Sequence, residues 1–212
     1  MPRKTTKKQT SGQVRIIAGQ CRGRRISFPA VVGLRPTGDR LRETLFNWLA
    51  ADLRGAHCLD LFAGSGALGL EAASRGAGQV TLLELNHSAA RALNDNIDLL
   101  DLKSASAFNA DALNWLQQRD RDTEPFDIIF LDPPFDSTML ASAVATLAQG
   151  NTLLAKDAMI YIEAPARQTL DFIPSHWQLH RHKTAGDVTC HLFRVHSDPL
   201  SNERALPVSS DN

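Results

Sequence analysis

Between residues 57 and 163 short apolar runs alternate with stretches of helical periodicity, and this alternation limits the possible fold more than any other feature. The apolar runs fall at 57–62, 79–84, 104–109, 126–131 and 158–163, with helical segments near 67–75, 87–100, 111–118 and 138–149 between them. Strands separated by helices pair in parallel, and a parallel sheet covered on both faces reads as unbroken apolar runs such as Phe126-Asp127-Ile128-Ile129-Phe130-Leu131. The pattern then changes. Trp177 to Thr184 and Val188 to Val195 are joined only by Ala185-Gly186-Asp187, which leaves no room for a crossover helix, so these two strands form an antiparallel hairpin. The expectation is an α/β, Rossmann-like sheet that ends in an antiparallel reversal.

Upstream of this core, Val14 to Ala18 and Arg24 to Phe28 read as two short strands, with Gly19 and Gly23 bounding their turn. Thr37 or Asp39 is placed to cap a helix whose apolar stripe is Leu41, Leu45, Phe46 and Leu49. The expected division is a disordered basic tail (1–12), a basic hairpin and loop (13–36), the main domain (37–196) and a disordered tail (197–212). With 212 residues, 43% of them hydrophobic, one domain has enough apolar material for a full core. No apolar run approaches the roughly 18 residues of a membrane span, and no signal-peptide pattern opens the chain. Cys21, Cys58 and Cys190 are scattered, without zinc or disulfide spacing, and are read as buried small hydrophobes. A cytoplasmic, monomeric protein without a metal is expected.

The formal net charge of zero conceals a segregation. Residues 1–42 carry 11 Lys or Arg against one acid, Asp39, while the remainder carries 12 basic and 22 acidic residues. A basic arm on an acidic body implies an anionic partner approached from one side. Arg15, Arg22, Arg24, Arg25, Arg35 and Arg40 are the candidates for RNA contact. For Arg35, Arg40 and Arg42 three readings stay open: contact with RNA phosphate, closure of the cofactor pocket, or surface pairs with Glu43 and its neighbours.

Gly64-Ser65-Gly66-Ala67-Leu68-Gly69 matches G-x-G-x-x-G directly after the strand that ends in Phe62, at the start of a helix. Such a turn lets the backbone approach a ligand closely, and the helix N-terminus adds a positive dipole. Glu84 closes the next strand, where an acid can bind both hydroxyls of a ribose. This much fits a nicotinamide dinucleotide and S-adenosyl-L-methionine equally. Asp60, within the strand before the glycines, suits a cationic ligand better than a pyrophosphate. Asp111 is placed to bond an adenine amine or to cap the helix that follows it. The candidate cofactor residues are therefore Asp60, Phe62, Ala63, Gly64, Ser65, Gly66, Glu84, Leu85, Asp111 and Ala112, and S-adenosyl-L-methionine is the favoured cofactor.

Asp132-Pro133-Pro134-Phe135 follows the apolar strand 126–131. Two prolines fix an extended, rigid turn and remove two backbone donors, so acceptors dominate there. An exocyclic base amine is a poor nucleophile because its lone pair is delocalised into the ring. If the Asp132 carboxylate and the Pro133 carbonyl accept its two N–H bonds, the nitrogen can pyramidalise toward a methyl donor. Phe135 would hold the base by stacking, worth about 1–3 kcal/mol, once the base has left its stack. Asp132, Pro133, Pro134 and Phe135 are thus the catalytic candidates. Lys183 and the Gly186 turn, at the border of the cleft, are read as structural.

With these motifs in place the chain resembles the bacterial 16S ribosomal RNA guanine-N2 methyltransferases of the D type. The resemblance runs from about Val14 to Val195. It is carried by Arg15-Ile16-Ile17-Ala18-Gly19, Gly33-Leu34-Arg35-Pro36-Thr37, Arg42-Glu43-Thr44-Leu45-Phe46-Asn47, Leu59 to Glu71, and Phe130 to Phe135. It implies a seven-stranded class I methyltransferase sheet and methylation of a guanine in 16S rRNA, in the small ribosomal subunit or its assembly intermediate. The rival enzyme is a DNA adenine-N6 methyltransferase, which usually carries a large target-reading insertion that has no room here. A non-catalytic ribosome-assembly protein is the other rival, and would not need Asp60, Gly64, Gly66, Glu84 and Asp132 together.

Overall fold

The computed structural model describes residues 12–31, 37–119, 123–134, 138–149 and 153–196. The predicted tails lie outside them except for Gly12, which opens β1 instead of ending a tail, and so do the Gly33 to Pro36 loop with Arg35, and Phe135. Nine strands and five helices are present among the described residues: β1 (Gly12–Arg15), β2 (Arg25–Phe28), α1 (Asp39–Trp48), β3 (His57–Asp60), α2 (Gly69–Ser74), β4 (Gln79–Glu84), α3 (His87–Leu100), β5 (Ala105–Asn109), α4 (Ala112–Gln118), β6 (Phe126–Leu131), α5 (Met139–Ala148), β7 (Leu154–Pro165), β8 (Trp177–Ala185) and β9 (Val188–Val195).

Strands β3 to β9 build one sheet in the order β5-β4-β3-β6-β7-β9-β8. The first five run parallel, and β9 inserts antiparallel between β7 and β8. Strand polarity therefore reverses at the tight Gly186-Asp187 turn, with Ala185 as the last residue of β8 paired to Val188. The two faces carry separate apolar layers. Leu45, Phe46, Leu70, Leu82, Phe130 and Tyr161 belong to one, and Leu59, Leu83, Ile129, Val144, Ile160 and Phe193 to the other. Alternate residues of each strand enter opposite layers, which is why the central strands are apolar throughout. All three cysteines are buried as free thiols.

The N-terminal strands pair antiparallel, Val14 opposite Ile26, and their inner side chains join the first apolar layer. The hairpin is fastened by backbone bonds to polar side chains of the main domain. Ile17 and Ala18 donate to the two oxygens of Glu71, at 2.7 and 2.9 Å. Asn96 brackets Ser27, accepting from its N–H and donating to its carbonyl. Gly19 lies at φ 81°, and a Cβ there would stand 1.8 Å from the Ser74 carbonyl oxygen, so only glycine allows this approach.

Several details differ from the sequence-based expectations, among them β1, which covers Gly12–Arg15 and stops before Ile16. Neither Thr37 nor Asp39 caps α1: the N-cap is Gly38, without a side-chain bond. Both side chains have tertiary partners instead. Arg42 is no surface residue but fully buried, its guanidinium reaching the Asp39 carboxylate at 2.7 Å, the Arg15 carbonyl at 2.9 Å and the buried Glu71 carboxylate at 3.5 Å. β3 stops at Asp60 and α2 starts only at Gly69, leaving a longer loop than the motif suggests. β7 is longer than predicted, running from Leu154 to Pro165.

Candidate active site

The carboxyl ends of β3, β4, β6 and β7 meet along one edge of the sheet, where ligands of open α/β folds bind. β3 lies between β4 and β6, with Asp60 paired to Leu82 on one side and to Phe130 on the other. Asp60 is buried and accepts from the Gly69 N–H at 2.9 Å, drawing the start of α2 down over the strand. A Cβ on Gly69 would meet Leu82 at 2.7 Å and the Asp60 carboxylate at 3.1 Å. Gly64 and Gly66 have φ values of 51° and 79°. Glu84 fixes the loop from the next strand, accepting from Gly64 N–H at 2.8 Å and from Asn86 N–H at 2.7 Å. Leu85 follows it with 65% of its surface exposed, an apolar face beside an acid at the rim.

Burial pushes the Asp60 carboxyl up to about 7, aided by the charges of Glu84 and Glu163 and opposed by the backbone N–H bonds of Gly69 and Phe62. A group so placed gains from a neighbouring cation. Ala63 and Ser65 are buried within the loop, while Phe62 is half-buried. Asp111 caps α4, accepting from Asn114 N–H at 2.8 Å, with the buried Ala112 opening that helix.

Asp132 and Pro133 follow directly on Leu131, the last residue of β6, which pairs with Ile162 of β7. Asp132 thus comes level with Glu163, a buried acid that the sequence reading did not single out. Glu163 is only 4% exposed, and its Oε1 accepts from the Thr37 hydroxyl at 2.6 Å and from the Tyr161 hydroxyl at 2.8 Å. The same Thr37 oxygen lies 3.4 Å from Asp132 Oδ2. Burial raises the Asp132 carboxyl well above its ordinary range, and the charges of Glu163 and Asp60 add to the effect against the Thr37 bond. Burial also raises Glu163, against the Thr37 and Tyr161 bonds. The sequence signal for Glu163 was its place: an acid ending the apolar run from Ala158 to Ile162, as Asp132 ends the run before it.

Of the basic candidates, Arg15, Arg22, Arg24, Arg25 and Arg40 are exposed. Arg15 pairs with Asp39 at 3.5 Å, and Arg24 donates to the Leu99 carbonyl at 3.0 Å at the end of α3. Arg22 and Arg25 extend from the hairpin, Arg25 with a 3.4 Å contact to Gln13.

Five parallel strands, a terminal hairpin that inserts the reversed β9 beside β7, a glycine loop under an acid-tipped second strand and Asp-Pro-Pro at the end of β6 together define a class I methyltransferase. The Thermus thermophilus 16S rRNA N2 G1207 methyltransferase, solved with AdoMet and guanosine, shares this fold at a TM-score of 0.63 and 20% identity, over 88% of this chain and 50% of that one. The family described as Conserved hypothetical protein 95 matches residues 14–194. Ribosomal RNA small subunit methyltransferase D of Escherichia coli (strain K12) is 46% identical over 184 residues, 87% of this chain and 91% of that protein. The solved Escherichia coli protein yhhF superposes with a TM-score of 0.80 at 44% identity, covering 88% of this chain and all of that one. The chain belongs to the family of ribosomal RNA small subunit methyltransferase D.

Proposed function

We propose that this methyltransferase transfers a methyl group from S-adenosyl-L-methionine to the exocyclic N2 of a guanine in 16S rRNA, in the cytoplasm, on the small ribosomal subunit or its assembly intermediate. The observation that carries this reading is the adjacency of two structures on paired strands: Asp60 beneath the glycine loop on β3, and Asp132-Pro133-Pro134 at the end of β6.

The residues present fit the cofactor. Glu84, held by two N–H bonds, keeps lone pairs on both oxygens for ribose hydroxyls, and exposed Leu85 offers an apolar face to an adenine ring. Asp111 spends one oxygen on its helix cap and has the other for an amine. Asp60 supplies negative charge where the ligand is cationic. When bound, S-adenosyl-L-methionine supplies an electrophilic methyl group on a sulfonium.

The chain's own part is to prepare the amine. Asp132 and the Pro133 carbonyl accept its two N–H bonds, which localises the lone pair on nitrogen. As the N–CH3 bond forms and the C–S bond breaks, the nitrogen becomes cationic and acidic. It then loses one proton, to Asp132 or to water, so no strong base is needed. The Phe135 ring is the stacking partner of the flipped base in this reading. The names of the family members favour ribosomal RNA of the small subunit.

The test is labelled methyl transfer to small subunits, naked 16S rRNA and duplex DNA, followed by nucleoside analysis. N2-methylguanine in RNA is expected, and N6-methyladenine would overturn the reading. Asp132→Ala should abolish transfer while cofactor affinity stays within a few-fold. Unchanged turnover would remove Asp132 from the catalytic set.

A further inference from the structure

The sheet register aligns one more cation with the acceptor site. Glu163 of β7 pairs with Cys190 of β9, and Cys190 pairs with Lys183 of β8, one residue beyond the row that begins with Leu131 and Ile162. Asp132, Glu163, Cys190 and Lys183 therefore form a single row across four neighbouring strands. At about 4.8 Å per strand step, Lys183 stands roughly 14 Å from Asp132, a span of two to three nucleotides.

Lys183 also stands on the same face as the acceptor site. Cys190 and Leu192, its neighbours across the pair, belong to the apolar layer under α1, and Lys183 Nζ donates to Thr44 Oγ1 of α1 at 2.9 Å. Thr44 in turn donates to the Arg40 carbonyl at 2.8 Å, so Lys183 is one helical turn from Arg40. Arg181 pairs with Leu192 and extends this face, beyond the irregularity at His180. Every residue from Gln178 to Asp187 is exposed. Among the described residues neither Arg181 nor Lys183 makes a salt bridge, although the chain beyond residue 42 is rich in acids.

Charged residues on an edge strand commonly serve only to prevent edge-to-edge association. That purpose requires charge but no alignment with an active site. We propose that Arg181 and Lys183, continued by Arg40, form a second RNA-binding rim that takes backbone phosphates flanking the target nucleotide, on the side of the cleft formed by β8 and α1. The N-terminal hairpin holds the strand elsewhere, and the base enters at Asp132. This rests on the methyltransferase reading given above.

The experiment compares the parent protein with Arg181→Gln/Lys183→Gln and Arg181→Glu/Lys183→Glu, measuring binding to naked 16S rRNA and to small subunits over a salt series. Cofactor affinity and thermal unfolding, unchanged in both variants, establish that the fold is intact. The neutral pair should weaken RNA binding about ten-fold and reduce the salt slope by about 0.7 to 0.9 for each phosphate no longer neutralised. The reversed pair should weaken it further. Parent-like affinity and slope on both substrates would overturn the rim. A loss confined to assembled subunits, with naked RNA unaffected, would also overturn it and point to a ribosomal protein as the partner. If the parent binds RNA but methylates no RNA, the functional reading fails, while the binding comparison still decides the rim.

Discussion

The Thr37 hydroxyl donates to Glu163 Oε1 at 2.6 Å, joining residues 126 positions apart at the end of the sheet where Asp132 stands. In the proposed site this bond would make Thr37 a support of Asp132 and Glu163 a positioning residue, acting through its charge and through the hydroxyl that lies between the two carboxylates. Glu163→Gln keeps an oxygen for Thr37 and Tyr161 but removes a negative charge beside Asp132. Since that charge raises the Asp132 carboxyl, the acid limb of the rate profile should move to lower pH. Thr37→Val removes a bond that lowers Asp132, so its limb should move to higher pH. Measured kcat/KM profiles that coincide with the parent in both variants would make the cluster purely structural.

Asp60 gives a second pH dependence, in cofactor binding. Its carboxyl titrates at about 7 in the folded protein. Below that pH a cationic ligand must displace the proton, so affinity should fall toward ten-fold per pH unit under acid conditions. Asp60→Asn retains an acceptor for the Gly69 N–H but cannot ionise. Its affinity should be lower at pH 8 and nearly independent of pH, as calorimetric titration would read.

The same residue affects stability with the opposite sense from an ion-paired acid. Folded Asp60 keeps its proton up to about 7, while the unfolded chain releases it near the ordinary value of 3.8. The folded state then binds more protons between those values, and the stabilisation present below about pH 4 is lost as pH rises to 7. Asp60→Asn should therefore gain stability relative to the parent at pH 8 and not at pH 4. Denaturant unfolding at the two pH values checks this, and an equal difference at both would refute it.

Glu71 should be among the most costly residues to change. It has no solvent exposure and accepts from Ile17 N–H, Ala18 N–H and Arg75 Nε, with Arg42 at 3.5 Å. Glu71→Gln leaves the buried Arg42 short of a counter-charge, a change that typically costs about 3–5 kcal/mol. Urea unfolding should show a loss of that order, and a loss below about 1 kcal/mol would mean that Asp39 alone suffices for Arg42.

Neutralising Arg22, Arg24 and Arg25 should weaken RNA binding and flatten its salt dependence, with cofactor affinity unchanged. Persistence of both binding and slope would show that the hairpin is not an RNA surface.

The sheet was readable in the sequence because its signal is local. Apolar runs such as Phe126 to Leu131 mark buried strands, and the three-residue Ala185 to Asp187 connection dictates a reversal. The placement of the glycine loop after β3 and of Asp132 after β6 was readable for the same reason. What escaped depends on partners far along the chain. Thr37 satisfies the local rule for a helix cap but bonds Glu163 instead. For Arg42 the sequence left RNA contact, pocket closure and surface pairing open, yet it lies buried on the stripe of Leu41, Leu45 and Phe46. A basic residue on the apolar face of a helix needs a buried acid, and nothing near it in sequence identifies Glu71 as that acid. Glu163 was missed because an acid at a strand end is ordinary unless the neighbouring strand also ends in one.

The Glu71 carboxylate has a consequence for protein engineering. The hairpin strands look like an appendage that could be exchanged to redirect the enzyme to another RNA. Yet their connecting turn is held by Glu71 and Ser74 of α2, the helix that follows the glycine loop, and Arg42 reaches the Ala67 carbonyl within that loop at 3.5 Å. A grafted arm would have to bring matching N–H groups and a glycine at position 19, or it would disturb α2 and the glycine loop proposed to hold the cofactor. If the hairpin is the RNA surface proposed for it, retargeting by exchange is confined to its exposed side chains, because its backbone is bonded into the main domain.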